Sequence, residues 1–286
     1  MRRCPPRGGD TRGFIVAHWT VPVKPSPVTP APAATLALLR DRPGAAGFEV
    51  LLIRRHGASK FAAGDYVFPG GKIEADDNPD DATVSCARLD PVRAARMLGL
   101  ESAPRAALGA WIGAIRETFE EVGILLAYAP DGAPVRVDHP RFVEYRRACQ
   151  ADNRAFWDMV RTEGLALATD RLVYFAHWIT PEVQPLRFDT RFFAAPAPVG
   201  QDAIADAHEV TEVRWLAPPE ALEANRRGEL PLRFPTIKNL GLLAGAASSD
   251  EALRRLEGRE VPTIQPRVIV EGGIRRVLLP GDPGYA

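Results

Sequence analysis

The feature that most constrains this chain is residues 114–124, AIRETFEEVGI, which place three glutamates on one side of a helix. Successive residues of an α-helix are rotated by about 100°, so Glu117, Glu120 and Glu121 converge on one face. The opposite face is apolar and carries Ile112, Ile115, Phe119 and Val122. Gly123 stands where a C′ residue does, and predicts that the helix ends there.

Three like charges on a short helical face repel one another, so helix propensity alone does not explain them. One interpretation is that this face is simply exposed to solvent, in which case the glutamates need no functional explanation. A divalent cation would make the cluster favourable, because Mg²⁺ prefers carboxylate oxygen and leaves coordination positions for water and phosphate. The upstream stretch 67–74, VFPGGKIE, favours this second interpretation, since a Pro-Gly-Gly turn lets the backbone approach a phosphate closely.

The overall composition is that of an ordinary globular protein, with 46% hydrophobic and 25% charged residues. Thirty-six basic residues balance thirty-six acidic ones, which argues against nucleic acid or an anionic membrane as a partner. Cys4, Cys86 and Cys149 are too few and too scattered for a disulfide framework or a zinc site. Since no apolar run reaches about 18 residues and no signal-peptide pattern is evident, we expect a cytoplasmic protein.

Changes in composition divide the chain into three parts. Residues 1–31 are rich in proline and predict a flexible arm. Residues 32–246 predict an α/β domain with helical insertions at about 78–108 and about 138–170, and residues 247–286 predict an extension of one helix and a hairpin. Strands at both ends of the chain with helices between them indicate a mixed sheet covered by helices.

Periodicity and turn signals predict the individual elements. Strands are expected at 33–39, 49–54, 124–127, 172–178, 191–194 and 210–216, with the first two forming a hairpin. Helices are expected at 80–89, 91–98, 140–164, 218–225, 235–243 and 250–256. Pro104 is expected to interrupt helical structure, the polar residues 150–153 leave open a split in the helix that contains them, and a final hairpin is expected over 264–279.

The two acidic and glycine-rich stretches together resemble the Nudix box, the loop–helix signature of the Nudix hydrolases. Gly71 opens the box, and residues 116–124, RETFEEVGI, close it. Asp77 stands where the box has its first glutamate, and Arg116 lies well downstream of position 85, where the box would place its arginine. The insertion that separates the halves is open to two interpretations, a surface decoration or a cap that selects the substrate.

The resemblance implies a Nudix-type α/β/α sandwich and a metal-dependent hydrolase that uses Mg²⁺ or Mn²⁺. In that family the corresponding glutamates and a backbone carbonyl hold the metal, so the implied ligands here are Glu117, Glu120, Glu121 and Gly71. Arg116 is implied to tether the helix to the loop through Asp77. Glu117, Glu120 and Arg116 are therefore candidate catalytic residues. Arg116 is expected to orient the metal ligands without binding the metal itself.

A further glutamate of such sites often precedes a late strand that carries a tryptophan. Glu209 stands six residues before Trp215 and is the candidate fourth ligand or general base. Glu212 is the alternative, and a solvated glutamate at the edge of a strand is the competing structural explanation.

Within the family, the chain is similar to the branch that contains a peroxisomal coenzyme A diphosphatase with a split box. The similarity lies in residues 51–55, 66–71, 178–181, 187–193 and 230–236. It implies hydrolysis of coenzyme A or acyl-CoA at the diphosphate, giving 3′,5′-ADP and 4′-phosphopantetheine or its acyl form. An ADP-sugar or NADH pyrophosphatase and a non-catalytic nucleotide-binding Nudix module are the alternatives.

Four arginines are candidates for binding the substrate, because a guanidinium group matches phosphate oxygens. They are Arg54, Arg55, Arg187 and Arg191. The first two could instead be solvated charges, and the last two could simply pair with Asp189. The expected partner is a small nucleotide-derived molecule, with no nucleic acid and no membrane, and a homodimer is compatible with the sequence.

Overall fold

A computed structural model describes residues 28–59, 62–271 and 274–285, and its centre is a mixed β-sheet. The strands are β1 (Ala31–Asp41), β2 (Phe48–Arg55), β3 (Tyr66–Val67), β4 (Gly70–Lys72), β5 (Ala127–Tyr128), β6 (Ala166–Leu167), β7 (Val173–Ile179), β8 (Phe188–Pro196), β9 (Val210–Leu216), β10 (Thr263–Ile264), β11 (Arg267–Glu271) and β12 (Ile274–Leu278). The α-helices of the same residues are α1 (Pro91–Leu98), α2 (Pro104–Val122), α3 (Pro140–Ala151), α4 (Arg154–Thr162), α5 (Pro218–Arg226), α6 (Phe234–Leu243) and α7 (Ser249–Leu256).

The main sheet of the described residues has eight strands in the order β10-β7-β8-β1-β2-β3, with β4 also paired to β1 and β9 to β2. The predicted hairpin is confirmed, because β1 and β2 are antiparallel with Leu39 opposite Val50. β1 also runs parallel to β8, so the sheet is mixed, as expected. The predicted strands at 191–194 and 210–216 lie within β8 and β9, and the one predicted at 172–178 coincides with β7 except for its first residue.

Hydrophobic residues cover both faces of the sheet, which gives the α/β/α layering that the sequence predicted. On one face, Leu36 and Phe193 pack with Trp111 and Ile115 of α2. On the other face, Leu39 and Leu52 and the strand residues around them pack with α5, α6 and α7. Alternation of side chains along β1 therefore decides which residues meet the acidic helix.

Helix α2 carries the three glutamates and is buried on almost every side. Pro104 begins this helix, so the predicted interruption there is wrong. Proline suits the first helical turn because its missing N–H is not needed for an intrahelical bond. The helix ends as predicted, with Gly123 in the left-handed conformation at φ 75° and its N–H bonded to the carbonyl of Phe119.

The first insertion is packed into the same core as α2. Its predicted helix at 91–98 is α1, which packs on α2 and buries Ala94, Ala95 and Leu98. The predicted helix at 80–89 is wrong, since only Ala82–Ser85 forms a 3₁₀ turn there. Cys86 is extended and bridges to Leu167 of β6, which removes it from any helix.

The second insertion forms two helices rather than one. The split left open at residues 150–153 is present, with α3 ending at Ala151 and α4 beginning at Arg154. The strand predicted at 124–127 is mostly wrong, because only Ala127 at its end lies in a strand, in the two-residue pair of β5 with β6. Residues 124–126 are nevertheless buried in the core.

The C-terminal residues contribute to the main sheet, since β10 pairs in parallel with β7 and places Thr263 beside His177. The predicted hairpin is confirmed as β11 and β12. Most of the predicted proline-rich arm, residues 1–27, lies outside the described residues. Among the described residues, we find no helix with both the length and the apolar character to cross a lipid bilayer.

Candidate functional site

The glycine turn and the acidic helix, distant in sequence, are in direct contact. Gly71 lies against Glu117 so closely that an added Cβ would be 2.5 Å from the Glu117 carboxylate carbon. Gly70 has φ 151°, and an added Cβ would lie 2.4 Å from the carbonyl oxygen of Ala34. The two glycines are therefore required for different reasons, one for its contact with the helix and one for its contact with β1.

Arg116 connects the helix to the loop after β4. Its Nε and Nη2 donate to the two oxygens of Asp77 at 2.6 and 2.9 Å, and Nη2 also donates to the carbonyl of Lys72 at 2.9 Å. Its Nη1 donates to Glu117 Oε1 at 3.0 Å and to Glu120 Oε2 at 3.1 Å. The predicted tether through Asp77 is thus present, and the same guanidinium group orients two of the candidate ligands.

Glu121 faces a different set of donors. Its Oε2 accepts a hydrogen bond of 2.8 Å from the backbone N–H of Gly70, and its Oε1 lies 3.4 Å from Nη1 of Arg55. Arg55 comes from the end of β2, and its Nη2 lies 3.8 Å from Oε2 of Glu209. Arg55 therefore stands between the helix and Glu209, so the structure brings this predicted residue to the site.

The site holds more negative than positive charge in a buried space. Four carboxylates, those of Asp77, Glu117, Glu120 and Glu121, surround the guanidinium groups of Arg116 and Arg55. Burial, reinforced by the neighbouring carboxylates and only partly opposed by Arg116, raises the pKa of both Glu117 and Glu120 to about 7. Burial and the charge of Glu117 raise the pKa of Glu121 well above its ordinary value.

A divalent cation fits this excess of buried carboxylate oxygen. Oε1 of Glu120 is buried without a hydrogen-bond partner, and Glu117 adjoins it, so hard oxygen donors are available for Mg²⁺ or Mn²⁺. Within the described residues, no three His, Cys, Asp or Glu side chains are arranged around one ion position. Their oxygens instead face Arg116, Arg55 and Gly70, so binding a cation requires some carboxylates to turn from these partners.

Glu209 lies at the rim of the site, and its side chain is 67% exposed. Its carbonyl accepts from the N–H of His56, and its own N–H donates to Oδ1 of Asp206 at 3.0 Å. The N–H groups of His208 and Val210 donate to the same oxygen, so Asp206 organises the turn that presents Glu209.

The alternative residue, Glu212, lies in a different environment. It accepts a 2.6 Å hydrogen bond from the hydroxyl of Tyr66 and pairs with Arg214. The hydrogen bond from Tyr66 is the main cause that lowers the pKa of Glu212. Tyr66 packs in the core on the far side of the sheet from α2, so Glu212 is not part of the acidic site.

The structure does not bring the other three predicted arginines to the carboxylates. Arg54 points away from Arg55, as neighbours on a strand do, and its Nε donates to the carbonyl of Gly64. Arg187 is buried and donates to the carbonyls of Thr180 and Val28. These guanidinium groups therefore bond to backbone carbonyls of the fold and not to the carboxylates of α2.

Arg191 pairs with Asp189 and contacts His177, which is the structural alternative considered for it. By register, Arg191 is opposite Ala34, which is opposite Gly71. Two strand spacings, on the order of 10 Å, therefore separate Arg191 from the glycine turn.

Sequence reasoning missed Arg146 and Gln150 of α3, both of which donate to the carbonyl of Glu120. It also missed Gln201, which bonds to the backbone of Leu125 just after α2. The spacing of four between Arg146 and Gln150 placed them on one helical face, but no local signal identified what that face would contact.

Comparison with known proteins gives consistent results. The family described as the NUDT19 Nudix domain matches residues 16–243. Acyl-coenzyme A diphosphatase NUDT19 of Gallus gallus is 30% identical, over 85% of this chain and 74% of the relative. The protein of the same name from Xenopus laevis is also 30% identical, over 83% of this chain and 71% of the relative.

Among solved structures, a NUDIX hydrolase from Alicyclobacillus acidocaldarius superposes with a TM-score of 0.65. It is 26% identical in sequence, and the match covers 79% of this chain and 96% of that one. The similarity therefore extends well beyond the loop–helix signature.

Proposed function

The chain belongs to the Nudix hydrolases as a NUDT19-type Nudix domain, and on that premise we propose that it hydrolyses the diphosphate of coenzyme A or acyl-CoA. The products would be 3′,5′-ADP and 4′-phosphopantetheine or its acyl form. The observation that carries this proposal is the contact of Gly71 with Glu117, which joins the glycine turn to the buried carboxylate cluster. The names of the NUDT19 relatives support coenzyme A as the substrate class.

Hydrolysis transfers the hydroxyl of a water molecule to one phosphorus and breaks the bond from that phosphorus to the bridging oxygen. The bridging oxygen leaves with the other phosphate, and the proton of the water must pass to a base. Negative charge develops on the phosphate oxygens, so a site for this reaction needs positive charge and a base close together. A bound Mg²⁺ or Mn²⁺ would supply Lewis-acid stabilisation of that charge.

The residues of this chain fit the remaining roles. The cation would be held by Glu117, Glu120 and Glu121 together with the carbonyl of Gly71. Arg116 orients Glu117 and Glu120 through its ion pairs with them. Glu209 is exposed to water at the rim and is assigned as the general base.

Of the four candidate arginines, Arg55 is the one proposed to bind the substrate. It lies between Glu121 and Glu209, where a phosphate oxygen could compete for its guanidinium group. A diphosphate entering this space would therefore meet one cationic side chain as well as the cation held by the glutamates.

The test is a hydrolysis assay of the full chain with Mg²⁺ on coenzyme A, acyl-CoA, ADP-ribose and NADH. We expect release of 3′,5′-ADP from the first two, and its loss in Glu120→Gln and Glu121→Gln. Glu223→Gln is the matched control, because Glu223 pairs with Arg226 on α5, away from the acidic helix. If only ADP-ribose or NADH is hydrolysed, coenzyme A is not the substrate and the protein is a pyrophosphatase of that other class. If a nucleotide binds but is not hydrolysed, the protein is a non-catalytic binding module.

A further inference from the structure

The C-terminal end of α2 is bonded to the loop that carries Glu209 through one arginine of the second insertion. The last carbonyl groups of a helix have no partner within the helix and need donors from elsewhere. In α2, the carbonyl of Glu120 accepts from Nε of Arg146 at 2.9 Å and from Nε2 of Gln150 at 2.7 Å. The carbonyl of Val122 accepts from the N–H of Ile204 at 2.9 Å.

Arg146 also holds the other side of this junction. Its Nη2 donates to the carbonyl of Ile204 at 2.9 Å, so Ile204 is held through both its N–H and its carbonyl. Two residues later, Asp206 begins the turn that presents Glu209. The path from Glu120 to Glu209 therefore consists of the hydrogen bonds of Arg146, the two chain steps from Ile204 to Asp206, and the hydrogen bond from the Glu209 N–H to Asp206.

The guanidinium group of Arg146 is committed to these backbone contacts rather than to an acid. Among the described residues it forms no ion pair within 4.0 Å, whereas its neighbour Arg147 pairs with Glu144 on the surface. Burial lowers the pKa of Arg146, with Asp206 and Glu121 opposing that effect. A cation at the C-terminus of a helix is favourable because the helix dipole is negative there.

Gly123 makes room for this contact. An added Cβ at Gly123 would lie 3.2 Å from Nη1 of Arg146, in addition to the strain of its positive φ. The residue that ends the acidic helix is thus also the residue against which the arginine packs.

A second tie fixes the same loop, residues 197–209, independently of Arg146. Oε1 of Gln201 accepts from the N–H of Leu125 at 2.8 Å, and its Nε2 donates to the carbonyls of Leu125 and Val135 at 3.1 and 3.0 Å. Loss of Arg146 alone should therefore loosen the loop without detaching it.

We propose that Arg146 is a positioning residue that sets the general base Glu209 relative to the carboxylates of α2. This role rests on the proposed function, since it concerns the same site. The second insertion is thereby part of the catalytic apparatus, because its α3 supplies the group that joins the acidic helix to the Glu209 loop.

The first test does not depend on catalysis. Hydrogen exchange of the metal-free chain is compared between wild type and Arg146→Met for peptides covering 200–212, where the amides of Ile204, His208, Glu209 and Val210 are bonded. We expect faster exchange in this segment and unchanged exchange in the N-terminal half of α2. Arg147→Met, on the next residue and 68% exposed, is the matched control and should leave the segment unchanged.

The second test is kinetic. Arg146→Met should lower kcat by about 10- to 100-fold with little change in KM, because small misplacements of a catalytic group are costly. Arg146→Lys keeps the charge but not the fork of donors, and should recover part of the rate. In a Glu209→Gln background the further loss caused by Arg146→Met should largely disappear, since the two changes act on one group.

Unchanged exchange in 200–212 would overturn the proposal, as would an undiminished loss of kcat in the Glu209→Gln background. Failure of the wild type to hydrolyse any substrate of the panel would overturn the proposed function and this catalytic role together. The exchange measurement would then still show whether Arg146 braces the loop, so the two failures are distinguishable. If Arg146→Met does not fold, the comparison is made with Arg146→Lys, whose unchanged exchange and kcat would equally overturn the proposal.

Discussion

The carboxylate of Asp77 receives two hydrogen bonds from the guanidinium group of Arg116, although 39 positions separate the two residues in the chain. Both side chains are almost completely buried, at 1% and 2% exposure. The pair therefore holds together the two ends of the inserted segment that contains α1.

Removal of one partner of this pair should destabilise the fold strongly. Asp77→Asn leaves the buried charge of Arg116 without its bidentate acceptor, and we expect a loss of about 3 kcal/mol in the free energy of unfolding. Urea denaturation measures this change. The surface pair Asp80–Arg105 in the same insertion is the control, and Asp80→Asn should have no measurable effect. Equal effects of the two substitutions would contradict the structural role of the buried pair.

The two glycines of the turn should respond differently to alanine. Gly71→Ala places a methyl group against the Glu117 carboxylate, which can turn away, so activity should fall at least 10-fold while the fold is retained. Gly70→Ala meets the backbone of Ala34 at a strained φ and should lower the melting temperature instead. Gly57→Ala, which meets nothing within 4 Å, is the control for both.

Activity and thermal unfolding of the three variants are measured in parallel. A Gly71→Ala protein with wild-type kcat would show that Glu117 does not need its observed position.

The stability of the metal-free protein should fall as pH rises. The pKa values of Glu117 and Glu120 are raised to about 7 from an ordinary value of 4.5, so the folded state binds more protons than the unfolded state between these values. The contribution of these groups is therefore fully present below about pH 4.5 and is lost as pH rises through about 7. Melting curves in EDTA from pH 5 to pH 8 measure it.

The same curves with Mg²⁺ or Mn²⁺ provide the comparison. A cation bound to the ionised carboxylates should offset the loss at high pH, because metal binding favours deprotonated ligands. Glu117→Gln combined with Glu120→Gln should reduce the pH dependence without metal, and Glu121, whose pKa is also raised, accounts for part of what remains. The double variant measures the contribution of all other titrating groups. The prediction would be contradicted if, relative to this variant, the metal-free wild type became more stable from pH 5 to pH 8.

We expect Glu209 rather than Glu212 to be the base, because Glu209 lies beside Arg55 at the acidic site, whereas Glu212 bonds to Tyr66. Glu209→Gln should lower kcat by about 10²- to 10⁴-fold, the usual contribution of a general base. Glu212→Gln should instead act through its bonds to Tyr66 and Arg214, with a modest loss of stability and little change in kcat. Steady-state kinetics and thermal unfolding of both variants decide between them, and the reverse pattern would make Glu212 the base.

Local sequence was enough to predict the acidic helix and most of the sheet. The spacing of Glu117, Glu120 and Glu121 places them together in any α-helix, and Gly123 ends that helix for reasons of backbone conformation. The β1–β2 hairpin and the strands β7 to β9 followed from alternating apolar residues and the turns between them. The predicted helix at 80–89 failed because an extended residue, Cys86, pairs with a distant strand.

The composition of the site depended on the tertiary structure. Arg54 and Arg55 are neighbours of the same type, yet they lie on opposite faces of β2, and only Arg55 approaches Glu121. Arg146 contributes because α3 lies across the end of α2, a relationship that no local pattern records. Period and capping are properties of a short segment and can be obtained from sequence alone. Which side chain meets a carboxylate is set by strand register and helix packing between distant segments, and only the folded chain determines these.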